Sequence, residues 1–120
     1  MSWHAQDPSN INDVKTHEKE IFRRTQLFPD VAENCMSTAF AHIFQGGYSS
    51  GYYSYKWAEV LDADAFAFFI SNGVFNTEIS ERLKEHVLSK GGTEDPHVLY
   101  KMFRCKSASN KALLERAGLL

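Results

Sequence analysis

The chain has 120 residues, enough for a single domain that buries a modest core. Thirteen basic residues against 15 acidic ones leave a net charge of -2 with no basic block, which argues against nucleic acid or an acidic membrane as partner. No apolar run approaches a membrane span, and the start Met1-Ser-Trp-His-Ala-Gln-Asp7 lacks the apolar stretch of a secretory signal. The cytoplasm is the expected location, but for an excerpt of a longer protein the missing signal says nothing about where the parent resides, and an exported parent stays open.

Helical periodicity dominates the chain in order. Pro8-Ser9-Asn10 opens a helix expected to run to about Gln26, with Ile11, Val14, Ile21 and Phe22 as its apolar stripe. Leu27-Phe28-Pro29-Asp30 breaks it. A short helix is expected from Glu33 to about Phe44, stopped by Gly46-Gly47. The next should begin between Tyr48 and Tyr52 and continue through Phe69. Its Tyr53, Trp57, Leu61 and Phe68 share one face, while Tyr52, Tyr55, Phe66 and Phe69 lie opposite. Asn76 caps a helix through about Ser89, and Gly91-Gly92 ends it. Asp95-Pro96 is an N-cap followed by proline at the first helical position, opening a helix to about Arg104. Ser109 caps a last helix ending at Gly118. Alternating stretches are absent, so the expectation is all-α: an array of about five to six helices forming one domain over residues 1–120.

The chemistry concentrates between His42 and Glu59. Tyr48, Tyr52 and Tyr55 follow at spacings of four and three, which on a helix puts their phenols on one face. A row of phenolic donors beside the Gly46-Gly47 hinge suits an oxyanion. The competing reading makes these tyrosines half-buried packing residues and His42 a satisfied core histidine. The nine phenylalanines read as helix-packing core, and Cys35 and Cys105 as buried reduced thiols. No Lys-Ser/Thr pair follows the glycines, so no phosphate loop is present, and with no strand expected for a nucleophile elbow to turn from, nucleophilic catalysis has no support.

The runs Phe40-Ala-His-Ile-Phe-x-Gly-Gly-Tyr48, Gly51-Tyr-Tyr-Ser-Tyr-x-Trp-Ala-Glu-Val-Leu61, Asp64-Ala-Phe66, Gly91-Gly-Thr-Glu-Asp-Pro96 and Ala112-Leu-Leu114 carry a resemblance. Over roughly residues 10 to 120 the chain resembles the C-terminal end of the thimet oligopeptidase and peptidyl-dipeptidase family of zinc metallopeptidases. The spelling from His42 to Tyr48 leans towards the bacterial dipeptidyl carboxypeptidase branch. The resemblance implies a helical shell around a deep channel with zinc on its floor. It also implies that His42, Tyr48 and Tyr55 contact the substrate carbonyl and the tetrahedral intermediate, and that Tyr52, Gly46 and Gly47 bind substrate. Two departures stand out: Cys105-Lys106 replaces a usual Gly-Arg, and Lys111 replaces a frequent aspartate.

A catalytic zinc site of this kind needs two histidines four apart on a helix with a glutamate between them. His17-Glu18-Lys19-Glu20-Ile21 begins correctly but has isoleucine where the second histidine belongs, so both His17 and Glu18 read as solvated helix residues. The metal ligands implied by the resemblance lie upstream. The chain is thus expected to be a C-terminal, substrate-binding fragment, inactive and metal-free alone, whose partners are short peptides and the missing N-terminal part of the enzyme. Self-association of the fragment is expected through its excess aromatic surface. The alternative is a non-catalytic helical interaction module derived from such an enzyme.

Overall fold

The computed structural model describes residues 1–120, which form only helical elements and turns and divide into two compact units, residues 1–53 and 54–120.

In the first unit α1 (Ser2–Ala5) is followed by a 3-10 turn over Pro8–Asn10, where the Asp7 carboxylate accepts the amide of Ser9 at 2.9 Å. The helix anticipated from Pro8 to Gln26 is split here. A second cap, Asp13, accepts the Thr16 amide at 2.7 Å and starts α2 (Val14–Phe22) afresh. Near Ala32 the chain returns to α2, its carbonyl accepting a hydrogen bond from Lys15 Nζ. The helix expected from Glu33 to Phe44 is likewise divided into α3 (Met36–Ala39) and a 3-10 turn over Ala41–Ile43. Phe40 separates them at φ -106 and ψ 76, and its ring stands edge-on against Tyr52 with centroids 4.7 Å apart. Aromatic packing there overrides the local helical pattern.

A further 3-10 turn spans Gly46–Tyr48. Gly46 needs its glycine, with φ at +63. The chain then turns again, the Gly51 amide donating to the Tyr48 carbonyl at 2.9 Å and Ser50 adopting φ +53. This second turn postpones the long helix to Ser54, later than the periodicity indicated.

The second unit holds α4 (Ser54–Asn72), α5 (Thr77–Leu83) running into a π-turn over Lys84–Leu88, α6 (Pro96–Arg104) and α7 (Lys111–Arg116). Two starts follow the expected caps: the Asn76 side chain accepts the Ile79 amide at 3.1 Å, and the Asp95 side chain accepts the His97 amide at 2.7 Å. Helix α7 packs along α4, and α6 packs on α5 and its π-turn. Phe103 of α6 is fully buried at the centre, with Ile79 and Tyr100 beside it and Leu61, Phe68, Phe69, Leu83 and Val87 around them. Phe69 therefore joins Leu61 and Phe68 in the core, against the face assignment above, while Trp57 is 64% exposed.

One ion pair is buried. Asp64 of α4 accepts from Arg104 Nε at 2.9 Å and from the Tyr100 hydroxyl at 2.7 Å, and the guanidinium lies 4.2 Å above the Phe68 ring. Burial pushes the Asp64 carboxyl up, but the hydrogen bonds from Tyr100 and Arg104 and the nearby positive charge outweigh it and hold the group below its ordinary value. Tyr100 moves the other way: burial first, then the adjacent carboxylate, raises its pKa well above that of a free phenol.

Candidate functional site

The first unit gathers three of the residues singled out in the sequence. His42, in the 3-10 turn after α3, lies 5.6 Å from the Tyr48 ring and 5.4 Å from the Tyr52 ring, centroid to centroid. Tyr48 and Tyr52 meet edge to face at 5.6 Å, and Phe40 closes the group against Tyr52 and, at 5.4 Å, against His42. The cluster is built by two successive tight turns rather than by one helical face. Tyr48 ends the Gly46–Tyr48 turn, and Tyr52 lies in the turn that leads to α4. His42 is exposed and Tyr48 is 40% exposed, so the imidazole is no core histidine.

Gly46 and Gly47 form the exposed edge of this cluster. An added Cβ would meet nothing within 4 Å at either position, so neither is glycine for want of space. Tyr55 belongs to the second unit, where it is the second residue of α4 and 50% exposed.

Three side chains that the sequence did not place in the site shape the surroundings. His4 Nε2 donates to the Ile43 carbonyl at 2.6 Å, tying α1 to the turn that carries His42. Trp3 packs edge-on against His17 at 4.6 Å and against Phe44 at 5.9 Å. Glu18 is half-buried, and its two carboxylate oxygens accept the amides of Met36 at 2.7 Å and Ser37 at 2.8 Å. The solvated reading of His17 and Glu18 is thereby corrected: one packs on an indole and the other anchors a helix. Burial opposes the charge on Glu18, yet the hydrogen bonds from Ser37, Met36 and Cys35 prevail and lower its pKa. A cavity of about 320 Å³ opens beside the cluster, lined by Trp3, Ile21, Phe22, Ile43, Tyr48 and Tyr52 among others.

The residues present do not fit a zinc ion. No three His, Cys, Asp or Glu side chains come together to hold one, and Glu18 already spends both oxygens on backbone amides. Cys35 and Cys105 are free thiols, the first half-buried and the second exposed rather than buried as the sequence suggested.

An all-helical chain with an aromatic histidine cluster on a glycine-bordered loop now has a family. It matches Peptidase family M3 over residues 1–119 and belongs to it. Among curated relatives, oligopeptidase A of Escherichia coli (strain K12) is 43% identical over 100 residues, covering 83% of this chain and 15% of that protein. Dipeptidyl carboxypeptidase of the same organism is 33% identical over 121 residues, covering 99% of this chain and 18% of that protein. The thimet-like oligopeptidase of Dictyostelium discoideum is 29% identical over 116 residues, with 97% and 17% covered. The chain therefore spans less than one fifth of the length of these relatives. Overall identity is higher to oligopeptidase A than to dipeptidyl carboxypeptidase, contrary to the leaning drawn from the His42-to-Tyr48 spelling.

Proposed function

We propose that this chain is the C-terminal, substrate-binding part of a zinc-dependent oligopeptidase or peptidyl-dipeptidase that cleaves short peptides. The observation that supports this best is the meeting of His42, Tyr48 and Tyr52 at the glycine loop, in a chain of Peptidase family M3. In this reading Tyr48 and Tyr55 donate hydrogen bonds to the oxyanion that develops on the scissile carbonyl, and His42 assists. Tyr52, Gly46 and Gly47 contact the peptide. Zinc is the metal of the whole enzyme, held by residues outside this chain, and the chain alone is inactive. The cytoplasm as location belongs to the same reading.

Grafting tests it. The chain replaces the matching stretch of E. coli oligopeptidase A, and hydrolysis of a short peptide is followed. The graft should cleave and the chain by itself should not. Tyr55→Phe should lower kcat about 10²–10³-fold with little change in KM, the pattern of a donor used in the transition state. Undiminished activity of the Phe variant would make Tyr55 a packing residue. A graft that folds but does not cleave would favour the alternative, a non-catalytic interaction module, for which the many exposed apolar side chains speak.

A further inference from the structure

The shortest hydrogen bonds that reach across the first unit to a backbone amide come from Glu18, a residue with no assigned part in the site. α3 has only four residues, Met36–Ala39, and the side chain of its N-cap Cys35 accepts none of the first-turn amides. Such a helix does not persist on its own, because nucleation costs more than one turn returns. Glu18, on the middle of α2, supplies what the cap lacks. Oε1 accepts the Met36 amide at 2.7 Å, Oε2 accepts the Ser37 amide at 2.8 Å, and the Cys35 thiol donates to Oε2 at 3.6 Å. The anchored end is solid, since Ser37 is 4% exposed. Three residues beyond Ser37 comes Phe40, whose ring supports both His42 and Tyr52, and His42 itself follows two residues later.

From this geometry we infer that Glu18 is a positioning residue. By clamping the first two amides of α3 to α2, it fixes the strut that sets Phe40 and the His42 imidazole against Tyr48 and Tyr52. The inference rests on the function proposed above and adds a residue to its machinery without contact to substrate. A charged acceptor with two oxygens is required. Glutamine offers one acceptor and would turn an NH2 towards the second amide, and aspartate is one methylene too short to reach from α2.

The experiment has two arms. In the 120-residue chain, hydrogen exchange at Met36 and Ser37 and the His42 ring resonances are recorded by NMR for Glu18→Gln and Glu18→Ala, with Glu20→Ala as control. Exchange at those two amides should quicken at least about tenfold and the His42 ring signals should move, while the α2 amides and the control keep their values. In the oligopeptidase A graft, Glu18→Gln should lower kcat about tenfold or more with KM little changed. Glu18→Gln, nearly isosteric, carries the test if Glu18→Ala does not fold. Unchanged exchange at Met36 and Ser37 overturns the inference outright. Altered amides with unchanged kcat, in a graft that Tyr55→Phe does impair, overturn the inference alone and leave the functional reading standing. A graft insensitive to both Tyr55→Phe and Glu18→Gln overturns both.

Discussion

Asp64 shows how one buried carboxylate can hold two helices and a ring in place. With its side chain 6% exposed and that of Arg104 9% exposed, neither charge has water to fall back on. Asp64→Asn should therefore cost about 3–5 kcal/mol, read as a fall in the denaturant midpoint, because it strands the guanidinium. The pH dependence has a definite sign. Asp64 titrates below its ordinary range, so its contribution is complete above the unfolded carboxylate value and disappears as pH falls through the lower folded value. Tyr100 titrates above the ordinary phenol range, so its contribution is complete up to about pH 10 and is lost as pH rises towards its folded value. A melting temperature measured across pH should decline at both ends, and Tyr100→Phe should remove the alkaline decline. Cys105 is a second telling residue. It ends α6 in the left-handed region at φ 58, donating its amide to the Lys101 carbonyl at 2.8 Å, where the resemblance had suggested glycine. Cys105→Gly should raise stability by about 1 kcal/mol, measured by chemical denaturation, while Cys105→Ala should give no gain. The Arg82 guanidinium loses its 2.9 Å contact to Sγ in either variant but keeps the Phe103 carbonyl.

At the level of elements, those in the second unit that open on a local cap were legible. Asn76 and Asp95 sit directly before the helices they start, and Pro96 fixes the first helical φ, so α5 and α6 begin where the sequence indicates. The first unit was less legible: Asp13, a local cap, lies inside the apolar stripe that suggested one continuous helix, and the start of α3 is set by contacts distant in sequence. Nothing near Met36 announces that Glu18 will cap it, and nothing near Phe40 announces Tyr52. The tyrosine row was recognised as a group but placed on a helix, since Ser50 carries no mark of its positive φ. The glycine loop yields a sharper test. Gly46 has φ +63 and Gly47 does not need a left-handed backbone, and both have room for a methyl group. Gly46→Ala should destabilise by about 1 kcal/mol and Gly47→Ala should leave the melting temperature in place. If Gly47→Ala nevertheless lowers the activity of the graft, the loop acts by moving.

Over the whole chain the apolar surface is the outstanding property. Five of the nine phenylalanines, Phe22, Phe28, Phe44, Phe66 and Phe75, are exposed, the last by 96%, so the expectation that phenylalanine fills the core holds only for the remainder. Leu27 at 87%, Trp57 at 64% and Ile70 at 60% add to them. With a net charge of only -2 to keep copies apart, the purified chain should sediment as a dimer or larger species at moderate concentration, and Phe66→Lys with Ile70→Lys should shift it towards monomer. A strictly monomeric chain would contradict this. The π-turn over Lys84–Leu88 bears on a different matter, the tolerance of this chain to a change in length. Its Ser89 amide reaches back five residues to the Lys84 carbonyl at 2.8 Å, one residue more than an α-turn spans. Excising the exposed Glu85 can relax that turn to ordinary α-helix with both ends kept, whereas excising a residue within α6 rotates everything beyond it by about 100° and pulls Phe103 from the core. Single-residue indels accumulated by descent should therefore collect at Lys84–Leu88 and spare Pro96–Arg104.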